Sequence, residues 1–543
     1  MKKYITHQYR LILAVAALLT LFYNPVFFAK LVAAFPLDQG NTGFIIAAGV
    51  LLFLANLLFF ALLAGRYVTK PLLIFAVIAA AGCSYFMSTY GVVIDETMLQ
   101  NVLETDAGEA AGLINTSMVL QMVFFGLLPA VLIWRLKLDY APFKKEILSK
   151  AVILVSTLAV AAVTLLSFSA NFASFFREYK PVRYYIAPLY AFYSGIQYAV
   201  ATPSSALKTG PAKPVSPDAE IIEAHDDKAM QVPERELIFL VVGESARADH
   251  FQLNGYARET NPALSKMDNI VSFTQFHSCG TTTAVSVPCM FSPAARKSFD
   301  SGDIYEYENV LDVLRRSGVN VIWLDNNSSS KGVADRMEYQ DFRHTPHPGC
   351  GEECHDDAML QDLQNYIDGH PDGDILIVMH QLGSHGPEYY KRYPESFEYF
   401  KPACKTNKLG DCTEEEIINA YDNTIRYTDH FLAGIINLLK KNDDYFEAGM
   451  LYVSDHGESL GENGIYLHGM PYAIAPEAQK HVGVILWGGK YFDFPVKKIL
   501  PLKDKDYTQD QLYCTLLAMF EVKTEDCTSD MMIFPPEMAA HDD

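Results

Sequence analysis

Five apolar runs crowd the first two hundred residues, at 11–35, 44–63, 71–87, 118–134 and 151–169. Each is close to the roughly 20 residues that carry a helix across a bilayer core, although the third and fourth are short for the task. A backbone in hydrocarbon must satisfy its own polar groups, so these runs predict a bundle of five transmembrane helices. The first run is too long and lacks a small-residue cleavage site, so it is predicted to be a retained helix and not a signal peptide. Lys2, Lys3 and Arg10, then Arg66 and Lys70, then Arg135, Lys137, Lys144, Lys145 and Lys150 fall on one side of an alternating path. Asp38, Asp95, Glu96, Glu104, Asp106 and Glu109 fall on the other. The basic side is the cytoplasm, and an odd number of crossings puts everything after the fifth run outside.

Charge and cysteine usage divide the chain at the same place. Residues 1–200 hold 14 Lys and Arg against 9 Asp and Glu, whereas the remaining 343 hold 29 against 55. So acidic an outer part repels phosphate backbones and predicts no nucleic-acid partner. Of nine cysteines, Cys83 stands alone in the apolar part and the other eight lie outside, in four close pairs. Short closures lose the least chain entropy, which predicts bonds 279 to 289, 350 to 354, 404 to 412 and 514 to 527. Such bonds form in an oxidising compartment, in agreement with the charge asymmetry. A zinc knuckle at "CGEEC" lacks a matching second pair.

Between Phe172 and Tyr198 the chain is dense in Phe and Tyr, interleaved with Arg177, Lys180 and Arg183, as for a segment in the headgroup zone. "ATPSSALKTGPAKPVSPDAE" then lacks periodicity and reads as the start of a linker. The predicted organisation is an anchor with interfacial segment at 1–200, a linker at 201–235 and an outer domain at 236–543. In that domain "ELIFLVVGES", "NVIWLDNN", "DILIVMHQLGSHGP" and "MLYVSDHGES" are short apolar runs separated by helical stretches, the pattern of buried parallel strands. Ligands of open α/β sheets gather at the carboxyl ends of strands, which nominates Glu244, Asp325, Asn326, His380, His385, Asp455 and His456 for one cluster. Carboxylate, imidazole and hydroxyl donors suit tetrahedral zinc.

"SCGTTTAVSVPCMFS" places three threonines, Thr281 to Thr283, between two cysteines and after a glycine turn. Any of the three could open a helix, where free N–H groups and the dipole favour an anionic oxygen. A zinc-bound hydroxyl there would be an activated nucleophile. In "MLQNVLETDAGEA", Asn101, Thr105 and Glu109 are four apart and share a face if the segment is one helix.

"VVGESARADHFQLNGY", "SCGTTTAVSVPCMFS", "DNNSSSKG", "GSHGPEYYKRYP", "YDNTIRYTDHF" and "YVSDHGESLGENGIYLHG" resemble, in order and spacing, the motif series of the lipid A phosphoethanolamine transferases, the mobile colistin-resistance enzymes among them. The resemblance covers essentially the whole chain. It implies an inner-membrane, multi-pass α/β enzyme whose periplasmic domain is of the alkaline phosphatase and sulfatase type. By motif it makes Glu244, Thr283, Asp455 and His456 zinc ligands and Thr283 the nucleophile that forms a covalent phosphothreonine-type intermediate. Lys331, His385 and His468 match positions that hold the phosphoethanolamine group, and Asn101, Thr105 and Glu109 match residues that meet the lipid ethanolamine. The implied donor is phosphatidylethanolamine from the surrounding membrane lipids. The implied acceptor is a phosphate of lipid A, with polymyxin tolerance as the outcome. The alternative within the same fold is transfer of phosphoethanolamine or phosphoglycerol to another glycan, such as core heptose, cellulose or a periplasmic glucan, because the matching motifs do not specify the acceptor.

Overall fold

The computed structural model describes residues 5–105, 107–201, 211–221, 233, 235–344, 350 and 354–539. The chain forms two compact units, one of Met1–Leu99 and Ile114–Val200, the other of Gln100–Leu113 and Ala201–Asp543.

The first unit is helical. Thr42–Leu63, Thr69–Tyr90, Thr116–Arg135 and Phe143–Ser167 are each long and apolar enough to cross a membrane. The third and fourth runs of the sequence are thus longer as helices, 22 and 20 residues, than their apolar cores suggest. The first run is not one helix: Gln8–Phe22 and Pro25–Ala34 meet at a 55° bend. Proline has no N–H for the preceding turn, so it starts a new helix. Asn24 occupies the break, where its Nδ2 donates to the carbonyls of Leu19 and Ala187, both at 2.9 Å, and its Oδ1 accepts from the Ala187 N–H at 2.8 Å. Part of the aromatic segment packs back onto these helices, with the Phe44 ring 4.6 Å from Phe35 and 4.9 Å from Phe172.

The second unit is built on a seven-stranded sheet. Its strands are β1 Glu236–Gly243, β2 Ile270–Phe273, β3 Asn320–Asp325, β4 Glu338–Asp341, β5 Ile375–His380, β6 Glu447–Ser454 and β7 Val484–Gly488, in the order β2-β7-β6-β1-β5-β3-β4. Neighbours from β6 to β4 are parallel, and β7 runs antiparallel to both β6 and β2. Every residue of β1 is buried. A central parallel strand is covered on both faces, which is why it reads as an uninterrupted apolar run. Its side chains alternate between two cores, Ile238, Leu240 and Val242 in one and Leu237, Phe239 and Val241 in the other. The longest helix, Glu414–Asn442, covers the second face, and its first turn is closed by reciprocal bonds between Thr413 and Glu416.

Residues 211–221 of the predicted linker are docked and not free. Ser216 Oγ bonds the Tyr513 hydroxyl at 2.8 Å, and Glu220–Ile221 pairs antiparallel with Val522–Lys523. The rest of the linker, apart from Ala201, 233 and 235, lies outside the described residues. Four disulfides join Cys279 to Cys289, Cys350 to Cys354, Cys404 to Cys412 and Cys514 to Cys527, and Cys83 is a free thiol. Cys350 and Cys354 are therefore not a zinc knuckle.

Candidate active site

Strand register assembles the site. Ser454 pairs with Gly243, and Val242 pairs with His380, so β6 and β1 end side by side and deliver Asp455 and Glu244 to one edge of the sheet. The third component is the helix Thr283–Met290, whose first residue is Thr283. Thr283 Oγ1 donates to Glu244 Oε2 at 3.0 Å and lies 3.4 Å from His456 Nε2. The three threonines are thereby distinguished. Thr281 Oγ1 donates to the Met470 carbonyl at 2.7 Å, and the buried Thr282 hydroxyl makes no hydrogen bond.

Asp455 uses Oδ1 to accept from the N–H groups of Ser245, at 3.1 Å, and His456, at 2.7 Å. Its Oδ2 is buried, accepts no hydrogen bond, and sits 3.3 Å from His456 Nε2. Glu244 Oε1 is 3.4 Å from the same nitrogen. His456 Nδ1 donates to the Gly457 carbonyl at 2.9 Å, which fixes the tautomer and leaves the Nε2 lone pair facing the two carboxylates. Burial, and then neighbouring His468, push the His456 imidazole down to about 3, so it is neutral as a metal ligand must be. Burial, and then the charge of Glu244, raise the Asp455 carboxyl well above its ordinary range. Two buried carboxylates at this spacing cannot both ionise without a cation between them. The orphaned Oδ2 and the convergent O, O, N and hydroxyl donors fit a tetrahedral metal such as zinc.

His468 completes the cluster. Ligand-capable atoms of Glu244, His456 and His468 all lie within 4.8 Å of one another. Its Nδ1 donates to Glu458 Oε2 at 2.7 Å, and its ring centre is 4.2 Å from that of His456 and 5.5 Å from that of His385. Burial is the largest influence and works to lower the His468 imidazole, but Glu458, Glu244 and Asp455 together push the group up to about 9. Lys331 is buried in the loop after β3, with a left-handed φ of +52°.

Three residues nominated by strand position do not join the cluster. His380 Nδ1 pairs with Asp325 Oδ2 at 3.1 Å, and Asn326 Nδ2 donates to Asp356 Oδ1 at 2.8 Å. His380 and Asp325 are register partners, so they face each other across the ladder. The condition for Asn101, Thr105 and Glu109 to share a face is not met, because the segment forms two helices, Glu96–Glu104 and Ala107–Leu113. Asn101 lies on the first, Thr105 in the break, where its N–H still reaches the Asn101 carbonyl at 2.9 Å, and Glu109 on the second. The side chain of Glu109 lies outside the described residues. Sequence reasoning did not single out Asn327, whose Nδ2 donates to Glu244 Oε2 at 3.0 Å, nor Glu458 behind His468. Both stand inside motifs already quoted, "DNNSSSKG" and "YVSDHGES".

A membrane-spanning region followed by an α/β domain with a metal-ready cluster at its strand ends defines a membrane-anchored enzyme of the alkaline phosphatase and sulfatase type. Residues 236–522 match the Sulfatase family model, and residues 52–202 match the model described as Phosphoethanolamine transferase EptA/EptB. Over 536 residues the chain is 42% identical to Phosphatidylethanolamine transferase Mcr-2 of Escherichia coli, with 96% of each chain covered. It is 38% identical over 528 residues to Phosphoethanolamine transferase EptA of Escherichia coli strain K12, covering 95% and 94%. The integral membrane protein lipooligosaccharide phosphoethanolamine transferase A (EptA) from Neisseria meningitidis superimposes with a TM-score of 0.92 at 34% identity, over 98% of this chain and 99% of that one. The chain belongs to the lipid A phosphoethanolamine transferase family.

Proposed function

We propose that this protein transfers phosphoethanolamine from phosphatidylethanolamine to a phosphate of lipid A at the periplasmic face of the inner membrane. The anchor crosses five times, with the bent pair Gln8–Phe22 and Pro25–Ala34 as its first crossing. The observation that carries the reading is the Thr283 hydroxyl, set at a helix start between Glu244 and His456. Glu244, Thr283, Asp455 and His456 would hold zinc, which supplies a fixed positive charge that favours the ionised hydroxyl. Glu244 Oε2 is placed to take the Thr283 proton. Thr283 Oγ1 attacks the donor phosphorus, the bond to the diacylglycerol oxygen breaks, and that oxygen takes the proton back from Glu244 and leaves as diacylglycerol. Phosphoethanolamine then rides on Thr283 until a lipid A phosphate oxygen attacks the same phosphorus and releases the threonine. Splitting the transfer lets one bulky lipid leave before the other arrives. Lys331, His385 and His468 hold the phosphoethanolamine group, and Asn101, Thr105 and Glu109 meet the ethanolamine of the lipid. The added ammonium offsets lipid A charge, so cationic polymyxins bind the surface less.

The test is a half-reaction with donor and no acceptor. The relay predicts diacylglycerol release and a phosphoethanolamine adduct on Thr283, both lost in Thr283→Ala. A Thr283→Ala enzyme that transfers at near wild-type rate would sink the relay. Mass spectrometry of lipid A from expressing cells tests the acceptor. An increment of one phosphoethanolamine is expected, and an unchanged lipid A beside a modified heptose or glucan would refute it.

A further inference from the structure

Three carboxylates meet at the other end of the sheet. Glu236 opens β1 and Glu447 opens β6, and the two are direct partners across the parallel ladder. Asp493 comes from the chain that follows β7. One carboxylate oxygen from each lies within 4.8 Å of the other two. Eight residues of strand separate Glu236 from Glu244, about 26 Å at the rise of an extended chain, so this cluster is distinct from the one at Thr283.

Glu236 is only 6% exposed, and its buried Oε2 accepts no hydrogen bond. Its own N–H donates to Asp374 Oδ1 at 3.0 Å, which brings a further carboxylate close. Burial, and then Asp493, Glu447, Asp374 and Glu521, act on Glu236, and each of those neighbours is acidic. Like charges placed directly opposite in a ladder destabilise it. A buried carboxylate with one oxygen left unsatisfied, facing two more carboxylates, is compensated by a cation or by a proton.

We propose that Glu236, Glu447 and Asp493 form a structural site for a hard divalent cation, calcium in preference to zinc. Every donor is a carboxylate oxygen, and neither imidazole nor thiolate is among them, which is the chemistry of calcium. Glu447 and Asp493 are half-buried, so an ion enters from solvent and keeps water on its open side. Bound there, it ties the starts of the two central strands to the segment leaving the reversed strand. The rival is a proton shared within the cluster, and burial, then Asp493, do push the Glu447 carboxyl up to about 9.

The test uses the full chain in detergent, stripped of divalent ions and reloaded with zinc alone. Calcium is titrated by calorimetry and the melting temperature is followed in parallel. One calcium per chain is expected, with a dissociation constant of about 10⁻⁴ to 10⁻³ M or tighter, and melting rises with calcium. Glu447→Gln and Asp493→Asn should each abolish that binding and keep transferase activity. They should melt above the wild type without calcium and below it with calcium. No saturable binding up to about 10 mM calcium, or equal binding in both variants, overturns the site. Melting that rises between pH 8 and pH 6 but ignores calcium identifies the shared proton and overturns it equally.

Discussion

Gly457 follows the proposed ligand His456 directly, and its replacement by alanine tests whether the cluster must be held to sub-ångström tolerance. A Cβ at this position would lie 2.1 Å from the Ala478 carbonyl oxygen and 3.0 Å from its carbon. Real Cβ atoms essentially never come closer than 3.0 Å to another heavy atom, so methyl and carbonyl must separate by about 0.9 Å. The obstructing atoms are backbone and no rotamer change relieves them. The Ala478 side is also pinned, because the Gly457 N–H donates to the adjacent Gln479 carbonyl at 3.1 Å. The Gly457 carbonyl is the acceptor that orients the His456 ring, so the displacement passes to Nε2. A misplacement of about 1 Å costs on the order of 100-fold in rate, or about 2.7 kcal/mol of transition-state stabilisation. Overpacking of this kind costs a further 1–3 kcal/mol or so of fold stability. Steady-state transfer from a fluorescent phosphatidylethanolamine, zinc content by mass spectrometry and melting temperature would be measured on the same preparation. The expected variant folds, melts lower, holds zinc weakly and turns over about 100-fold more slowly. Full zinc occupancy with kcat/KM within about twofold of wild type would show that this backbone does not position the ligand.

Glu458→Gln should cost about 10- to 100-fold in kcat/KM, because an amide cannot orient His468 as the carboxylate does while also accepting from the Tyr389 hydroxyl at 2.7 Å; unchanged kinetics would remove Glu458 from the machinery. Dialysis against a strong chelator should abolish transfer, with recovery on adding zinc and none on adding magnesium, since the donors at Glu244, Thr283, Asp455 and His456 form a small mixed oxygen and nitrogen set; recovery with magnesium alone would contradict the assignment. Thiol labelling of the denatured, unreduced protein should modify Cys83 and no other cysteine; several labelled sites would show that the four bonds do not form.

The parts of the site that were legible in the sequence are those fixed by topology. Parallel strands end at one edge, so residues just past β1 and β6 had to converge, and Glu244 and Asp455 did. The same rule overreached at β3 and β5. His380 is the last residue of its strand, not the first beyond it, and its side chain pairs sideways with Asp325. Asn327 and Glu458 act on a neighbour and not on the centre itself, and a lone amide or carboxylate in a loop carries no periodic signal. The broken first helix had a local signal, since "YNPVFF" places a proline inside the apolar run, but run length alone cannot show where a backbone bends. The break near Thr105 falls beside Asp106 and Gly108, weak helix formers that a four-residue spacing ignores.

The cysteine-bounded threonine loop is both a covalent closure and a clamp on its hydroxyl, and the clamp is the stronger determinant of geometry. A disulfide between Cys279 and Cys289 limits the loop's freedom but leaves its orientation toward β6 open. That orientation comes from Gln509, which is 1% exposed. Its Oε1 accepts from the Cys279 N–H at 2.6 Å and the Ser286 hydroxyl at 2.7 Å, and its Nε2 donates to the carbonyls of Ser454 at 2.8 Å and Asp455 at 2.9 Å. One amide thus spans the threonine loop, the helix that Thr283 opens, and the strand end that carries Asp455. Thr281 performs the matching task on the far side, since its hydroxyl donates to Met470 and its carbonyl accepts from the Gly469 N–H at 2.8 Å, just past His468. Each of these groups is buried, and a buried partner left unsatisfied costs about 1–3 kcal/mol, so a tilt of the loop breaks several bonds at once. The loop's two tethers therefore hold it to the end of β6 and to the segment beside His468 separately, which keeps the Thr283 hydroxyl beside Glu244 and His456.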